Sequence, residues 1–220
     1  MSAKVLAIAQ QKGGVGKTTL AAHLAVAWSK AGRKVTVLDV DPQGSLAAWS
    51  AARSKTLNGA AGAGPAVMAI GGWRVATEVD RAAAANDIVI IDCPPHADTD
   101  ARVAMRAAGL VLVPVQPSPL DLWATQPTLD LATREKTPIL LVLNRVPSRA
   151  LLTAAMITSL GEYRVQVARS AIGNRIAFAD SMVSGLTAIE TRPRSAASTE
   201  LRTLARQVWT RLSDQAGLEA

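Results

Sequence analysis

The sequence is poor in the residues that announce several common chemistries. It has one cysteine, Cys93, and two histidines, so neither an intrachain disulfide nor a cysteine-rich metal site can be built. Aromatic residues are only 3% of the chain, against 49% hydrophobic overall. The core must therefore come from Ala, Val, Leu and Ile, a composition that suits parallel strands covered by helices on both faces. No stretch approaches the ~20 continuous apolar residues that span a bilayer. The apolar run at the N-terminus is too short for a secretory leader and leads straight into a glycine-rich loop. A cytoplasmic protein is expected. There is no internal repeat, low-complexity tail or charge block, and lysine stops at Lys136, every later basic residue being arginine.

What is present alternates. Strand-like runs fall at Val5–Ala9, Val35–Asp39, Val67–Ile70, Ile88–Asp92, Leu110–Val115, Ile139–Leu143 and Val165–Ala168. Helical patterns lie between and after them, near Lys17–Lys30, Ser45–Arg53, Trp73–Ala85, Asp98–Ala107, Leu120–Arg134, Ala150–Leu160, Asn174–Met182 and Ser198–Ser213. Strands alternating with helices predict a doubly wound α/β fold with a mostly parallel central sheet flanked by helices. With 220 residues, one domain spanning 1–220 is expected, since two would each be small. Thr56–Pro65, rich in Gly and Ala, reads as a surface connection within it. A net charge of +7 favours an acidic partner, either nucleic acid or an anionic membrane.

The first strand runs into Gln10-Gln11-Lys12-Gly13-Gly14-Val15-Gly16-Lys17-Thr18-Thr19-Leu20. A glycine-rich turn between strand and helix points successive N–H groups into one concavity, and the helix adds its positive end. Lys17 then supplies a cation for β- and γ-phosphates and Thr18 a hydroxyl for Mg²⁺. The common phosphate-loop pattern requires glycine where this chain has Gln11, and a second lysine, Lys12, opens the loop. Two ammonium groups in one small loop repel each other unless enough negative charge lies between them, and a single Mg-triphosphate is already served by Lys17. One solution is for Lys12 to reach a nucleotide held by a second subunit.

These residues resemble the deviant Walker A motif of the ParA/MinD family of ATPases, and the resemblance extends from Lys4 to about Leu212. It implies Mg-ATP as cofactor, with Gly13, Gly14, Val15, Gly16, Lys17, Thr18 and Thr19 around the phosphates. It also implies an ATP-dependent sandwich homodimer in which Lys12 acts in trans. Asp39-Val40-Asp41-Pro42 resembles the family's switch I, with Asp41 tied to hydrolysis and Asp39 on the Mg²⁺ side. The apolar strand Ile88–Ile91 ends in Asp92-Cys93-Pro94-Pro95, as a Walker B strand does, making Asp92 a metal-side carboxylate. His96 and Gly109 stand where the family usually has Gly and Asp. Asn144, with Arg145, falls where the family reads the adenine edge. Val113-Pro114-Val115-Gln116-Pro117-Ser118-Pro119-Leu120-Asp121 resembles the family's proline-rich segment, that of small partition ATPases in particular, which supports the dimer face.

In the last third, ten arginines face six acidic residues. The resemblance implies that some bind DNA without sequence preference, and Arg169, Arg175, Arg194, Arg202 and Arg206 are the candidates. The function implied is a partition or positioning ATPase, nucleoid-associated, that hydrolyses ATP slowly until a cargo-adaptor protein stimulates it. The alternative is a MinD-like membrane-surface ATPase, which would need a C-terminal lipid-seeking helix. Leu201–Leu212 is amphipathic, but its apolar stripe is what a terminal helix needs merely to cover the sheet, so a membrane partner is not expected. A metabolic ligase of this fold would need a substrate motif that the sequence lacks. Cluster-bearing relatives are excluded by the single cysteine, and tyrosine kinases of this fold by the single tyrosine, Tyr163.

Overall fold

The computed structural model describes residues 3–59, 64–95, 98–148 and 165–216. The expected helix at Ala150–Leu160, and His96, lie outside them. Seven strands are present among the described residues: β1 (Lys4–Ile8), β2 (Val35–Asp39), β3 (Ala66–Ala69), β4 (Ile88–Asp92), β5 (Leu110–Val115), β6 (Ile139–Leu143) and β7 (Gln166–Val167). They form one sheet in the order β3-β2-β4-β1-β5-β6-β7, and every pairing is parallel. The chain leaves β1 toward β2 on one side and β5 toward β6 on the other. That reversal opens a crevice at the carboxyl ends of the central strands, where open α/β sheets bind ligands.

Strands buried on both faces divide their side chains between two cores. Leu6, Ile8, Val37, Ile90, Leu112 and Val142 pack toward α1 (Lys17–Lys30), α2 (Ser45–Thr56), α7 (Ile176–Val183), α8 (Ala188–Thr191) and α9 (Ala196–Ala216). Ala7, Leu38, Val89, Val111 and Leu141 pack toward α3 (Val75–Ala83), α4 (Asp98–Ala107), α5 (Pro119–Trp123) and α6 (Gln126–Arg134). The alanines of α1 let it lie close between the sheet and the C-terminal helices, and Trp28 Nε1 donates to Ala205 O at 3.2 Å. The predicted helix over Leu120–Arg134 is two helices. Its break falls at Ala124–Thr125, where the Thr125 hydroxyl donates to Asp121 O at 2.7 Å and Pro127 opens the next helix. The short α8 was not expected; a reciprocal capping box between Thr187 and Glu190 starts it.

His23, one turn below the phosphate loop on α1, is fully buried. Its Nδ1 lies 2.8 Å from Thr19 O, and its Nε2 accepts from Ala188 N at 3.2 Å. That pairing fixes a neutral ring with its proton on Nδ1, welding α1 to α8. Burial pulls its pKa down to about 4, against small upward pulls from Thr19 and Glu190. The unfolded chain therefore takes up a proton near pH 6.5 that the folded chain refuses until about pH 4, so this contribution to stability is lost as pH falls through that window. Asp92, whose folded pKa is raised, works in the opposite direction over the same range. The isolating measurement is therefore urea unfolding of the wild type and His23→Asn at about pH 7 and about pH 5. The wild type should lose about 2 kcal/mol more than the variant on acidification, and equal losses would refute the assignment.

Candidate nucleotide site

The registers that align Ile8, Asp39 and Asp92 put the carboxyl ends of β1, β2 and β4 on one line. From the end of β1 the loop turns through Gly14 (φ 75°) and Gly16 (φ 95°), both in the left-handed region, and Gly16 caps α1. Gly13 and Gly14 are exposed, whereas Val15 is buried beneath them. The loop is braced from below. Asn144 Nδ2 donates to Val15 O at 2.7 Å, Gln116 Nε2 donates to Gly14 O at 3.2 Å, and Lys17 Nζ donates to Gln10 O at 3.0 Å.

Lys17 is buried, and desolvation lowers its pKa against the attraction of Asp92. Asp92 is buried too, and desolvation pushes it up to about 7, offset mainly by the Thr18 hydroxyl. Thr18 Oγ1 donates to Asp92 Oδ2 at 2.7 Å, while Asp92 Oδ1 is buried without a hydrogen-bond partner. Such an oxygen is costly to bury unless something else satisfies it. Among the described residues no cluster of three or more His, Cys, Asp or Glu could hold a metal unaided. A hydroxyl, one free carboxylate oxygen and a phosphate cradle fit Mg²⁺, which keeps several waters and binds through few protein ligands.

The two switch I aspartates differ. Asp39 is buried and spends both oxygens on backbone amides: Oδ1 accepts from Asp41 N, and Oδ2 from Leu46 N and Ala47 N, each at 3.2 Å. It caps α2, and the oxygen left buried without a hydrogen-bond partner is Asp92 Oδ1. Burial raises the Asp39 pKa, and these amides oppose the rise. Asp41 is half-exposed and accepts from Gln43 N at 3.0 Å, forming a turn ahead of Gly44. Asn144 Nδ2 gives one N–H to the loop, and its amide carries a second N–H and an Oδ1 besides. Arg145, held at φ 55°, lines a 380 Å³ cavity beside Gly16 and Thr19, with Asn174, Arg175 and Ile176 opposite.

The sequence reading missed the partner of Lys12. Its ammonium lies 2.8 Å from Asp121 Oδ2, a buried carboxylate that also accepts from Ser118 Oγ at 2.5 Å. Gln10 and Gln11 are fastened to the same helix pair. Gln10 Nε2 donates to Thr125 Oγ1 at 2.9 Å, Thr128 Oγ1 donates to Gln10 Oε1 at 3.0 Å, and Gln11 N donates to Thr128 Oγ1 at 3.1 Å. On the outside of α5, Leu120 and Trp123 are exposed.

The arginine candidates do not form one group. Arg175 forks onto Glu200, with Nε 3.0 and 3.1 Å from its two oxygens, and borders the nucleotide-side cavity. Arg202 and Arg206 lie along α9, where Arg206 shares a second cavity with Arg169 and Arg211. Arg194 is exposed just before α9.

A family model, the CobQ/CobB/MinD/ParA nucleotide-binding domain, matches residues 6–188. The chain belongs to that family. Members of the CobQ/CobB/MinD/ParA family similar to it include the maintenance of carboxysome distribution protein A of Halothiobacillus neapolitanus, 34% identical over 200 residues, covering 87% of this chain and 90% of that protein. The chromosome partitioning protein ParA of Caulobacter vibrioides is 34% identical over 149 residues, covering 51% of this chain and 56% of ParA. Among solved structures, the septum site-determining protein MinD of Pyrococcus horikoshii, complexed with Mg-ADP, superimposes with a TM-score of 0.78 at 20% identity over 99% of both chains. The ATP complex of a Cyanothece McdA variant gives 0.76 at 18% identity, over 96% of this chain and 97% of that one. At these identities the two structures speak to the fold.

The loop geometry predicts an asymmetry between neighbouring glycines. A Cβ on Gly16 would stand 2.6 Å from Asn144 Nδ2 in a left-handed backbone, whereas one on Gly13 meets nothing within 4 Å. Gly16→Ala should cost about 1–3 kcal/mol in denaturant unfolding, and Gly13→Ala less than ~0.5 kcal/mol. Equal costs would mean that the loop is not held in this conformation.

Proposed function

We propose that this chain is a Mg-ATP-dependent positioning ATPase of the ParA type. It forms an ATP-bridged homodimer, binds DNA without sequence preference, and hydrolyses ATP when a cargo-adaptor protein engages it. The observation that carries the reading is the pairing of Thr18 with Asp92 at the mouth of a left-handed glycine loop, with one Asp92 oxygen buried and unpaired. A phosphate cradle beside a carboxylate lacking its cation is what Mg-nucleotide binding requires. Relatives named for carboxysome distribution and chromosome partitioning support a role in placing cargo.

In this reading the backbone amides of Gly13 to Thr19 hold the phosphates and Lys17 neutralises them from below. Thr18 and Asp92 would hold Mg²⁺, which would supply charge neutralisation at the β- and γ-oxygens. Asp41, on the turn that runs through Pro42 to Gly44, orients the attacking water. Lys12 must leave Asp121 before it can meet a partner's nucleotide, so the cis pair competes with the trans contact. A cation delivered in trans is worth roughly 10³ to 10⁵ in rate by analogy with arginine fingers. Arg169, Arg202 and Arg206, with Arg194 nearby, are the DNA contacts this reading retains. Arg175 is neutralised by Glu200 and is set aside.

Lys12→Ala should abolish ATP-dependent dimerisation, measured by light scattering with a non-hydrolysable analogue, together with partner-stimulated turnover, while one nucleotide per chain still binds. If dimerisation and stimulation both survive, the trans role is wrong. Asp121→Asn weakens the cis hold and should lower the ATP concentration needed for half-dimerisation. A rise would instead make Asp121 a support for the trans geometry.

A further inference from the structure

At the other end of α1 lies a cavity that the nucleotide reading does not use. It is a half-open cleft of about 570 Å³ between α1 and α9, within the range typical of small-ligand pockets. Its apolar wall is formed by Ala27, Trp28, Ala31, Ile189 and Ala205, with Trp209 beside them. Four cations border it, Lys30, Arg33, Arg202 and Arg206, and among the described residues no acidic one does. Among the described residues Lys30, Arg33 and Arg206 enter no ion pair. Arg202 is turned back onto Pro193 O at 2.8 Å. The Arg33 guanidinium lies 3.3 Å from the centroid of Trp209, and Lys4 Nζ lies 5.0 Å from the same ring. Stacking holds the Arg33 fork in place without a carboxylate and leaves its N–H donors to another acceptor.

We propose that this cavity binds a small amphiphilic organic anion, with its aromatic or acyl body against the Trp28–Ala205 wall and its charged group on Arg33 and Arg206. Inorganic phosphate or sulfate would leave the wall unfilled, and a duplex backbone is too broad to enter a concavity of this size. Neither gains from two tryptophans and three alanines, whereas an amphiphile gains from the wall and the rim together. The helix between this cavity and the phosphate loop has 14 residues and is therefore about 20 Å long. Occupancy is thus compatible with a nucleotide at the other end of α1. The assignment stands on the cavity's own lining and does not depend on DNA binding by Arg202 and Arg206.

The test uses 1-anilinonaphthalene-8-sulfonate as the probe, titrated into the full-length folded protein and read by its fluorescence. Binding should saturate at one probe per chain and persist in excess Mg-ADP. Ala31→Phe fills the cavity from an exposed helix end and should weaken the probe by roughly tenfold or more. Arg33→Ala should weaken it several-fold with nucleotide binding unchanged, and Arg206→Ala should weaken it as well. Octanoate and naphthalene sulfonate, as acyl and aromatic sources of the same chemistry, should displace the probe where equimolar sulfate does not, and their order names the preferred body. Displacement by Mg-ADP, equal displacement by sulfate, or indifference to Ala31→Phe would each overturn the proposal.

Discussion

Two charges of opposite sign, Lys17 and Asp92, sit desolvated at neighbouring strand ends, and most of the architecture serves to keep them there. Burial disfavours the charged form of each, and each is attracted by the other. Neither is paired directly: Lys17 Nζ rests on Gln10 O, and Asp92 faces the Thr18 hydroxyl. A flexible loop would let both escape to water. They stay because β1 and β4 are buried on both faces, the register fixes their ends side by side, and α1 is walled in by alanine-rich packing. The site is thus held ready for an anion and a cation together, which is the electrostatic demand of a metal-bound polyphosphate.

The same economy explains why the loop begins with a lysine that is already engaged. Lys12 is tied to Asp121, while Gln10 and Gln11 are tied to Thr125 and Thr128, so the loop's entry and the α5–α6 pair are fastened as a unit. Asp121 is buried and one of its oxygens lacks a hydrogen-bond partner. Removing Lys12 would leave that carboxylate less compensated than before. Any process that draws Lys12 away must therefore offer it more negative charge than Asp121 does. A triphosphate does so, and most other surface anions do not.

The fold was legible because its signals are local. Apolar strands such as Ile88–Ile91 and Leu110–Val113, separated by helical periodicity, pointed to the parallel sheet. The glycines and Lys17 marked the loop by their place between a strand and a helix, although the common spacing fails at Gln11. Part of what escaped depends on residues more than a hundred positions apart. Nothing near Asp121 marks it as the partner of Lys12, and nothing near Asn144 says that its amide donates to Val15. Asp39 was expected on the Mg²⁺ side, yet its position at the strand end aims it at the first amides of α2. The break at Thr125 was hidden because Leu120–Arg134 keeps helical periodicity on both sides of a side-chain hydrogen bond that periodicity cannot register.

Charge is the remaining case in which a total misleads. The excess of +7 already counts every acidic residue, so ion pairs do not reduce its size; they decide where on the surface it lies. Arg53 is buried on Glu190, Arg102 and Arg106 share Glu135, Arg175 holds Glu200 and Arg192 holds Asp180. The exposed pairs among these add little stability, but each cancels field locally. The cations left without carboxylates among the described residues include Lys30, Arg33 and Arg206, which flank one stretch of α9. A long-range anionic partner and a small amphiphilic one would both be drawn there by the same local potential. Shape then separates them, because the outer ridge of α9 suits an extended polyanion and the cavity beside it suits a compact one.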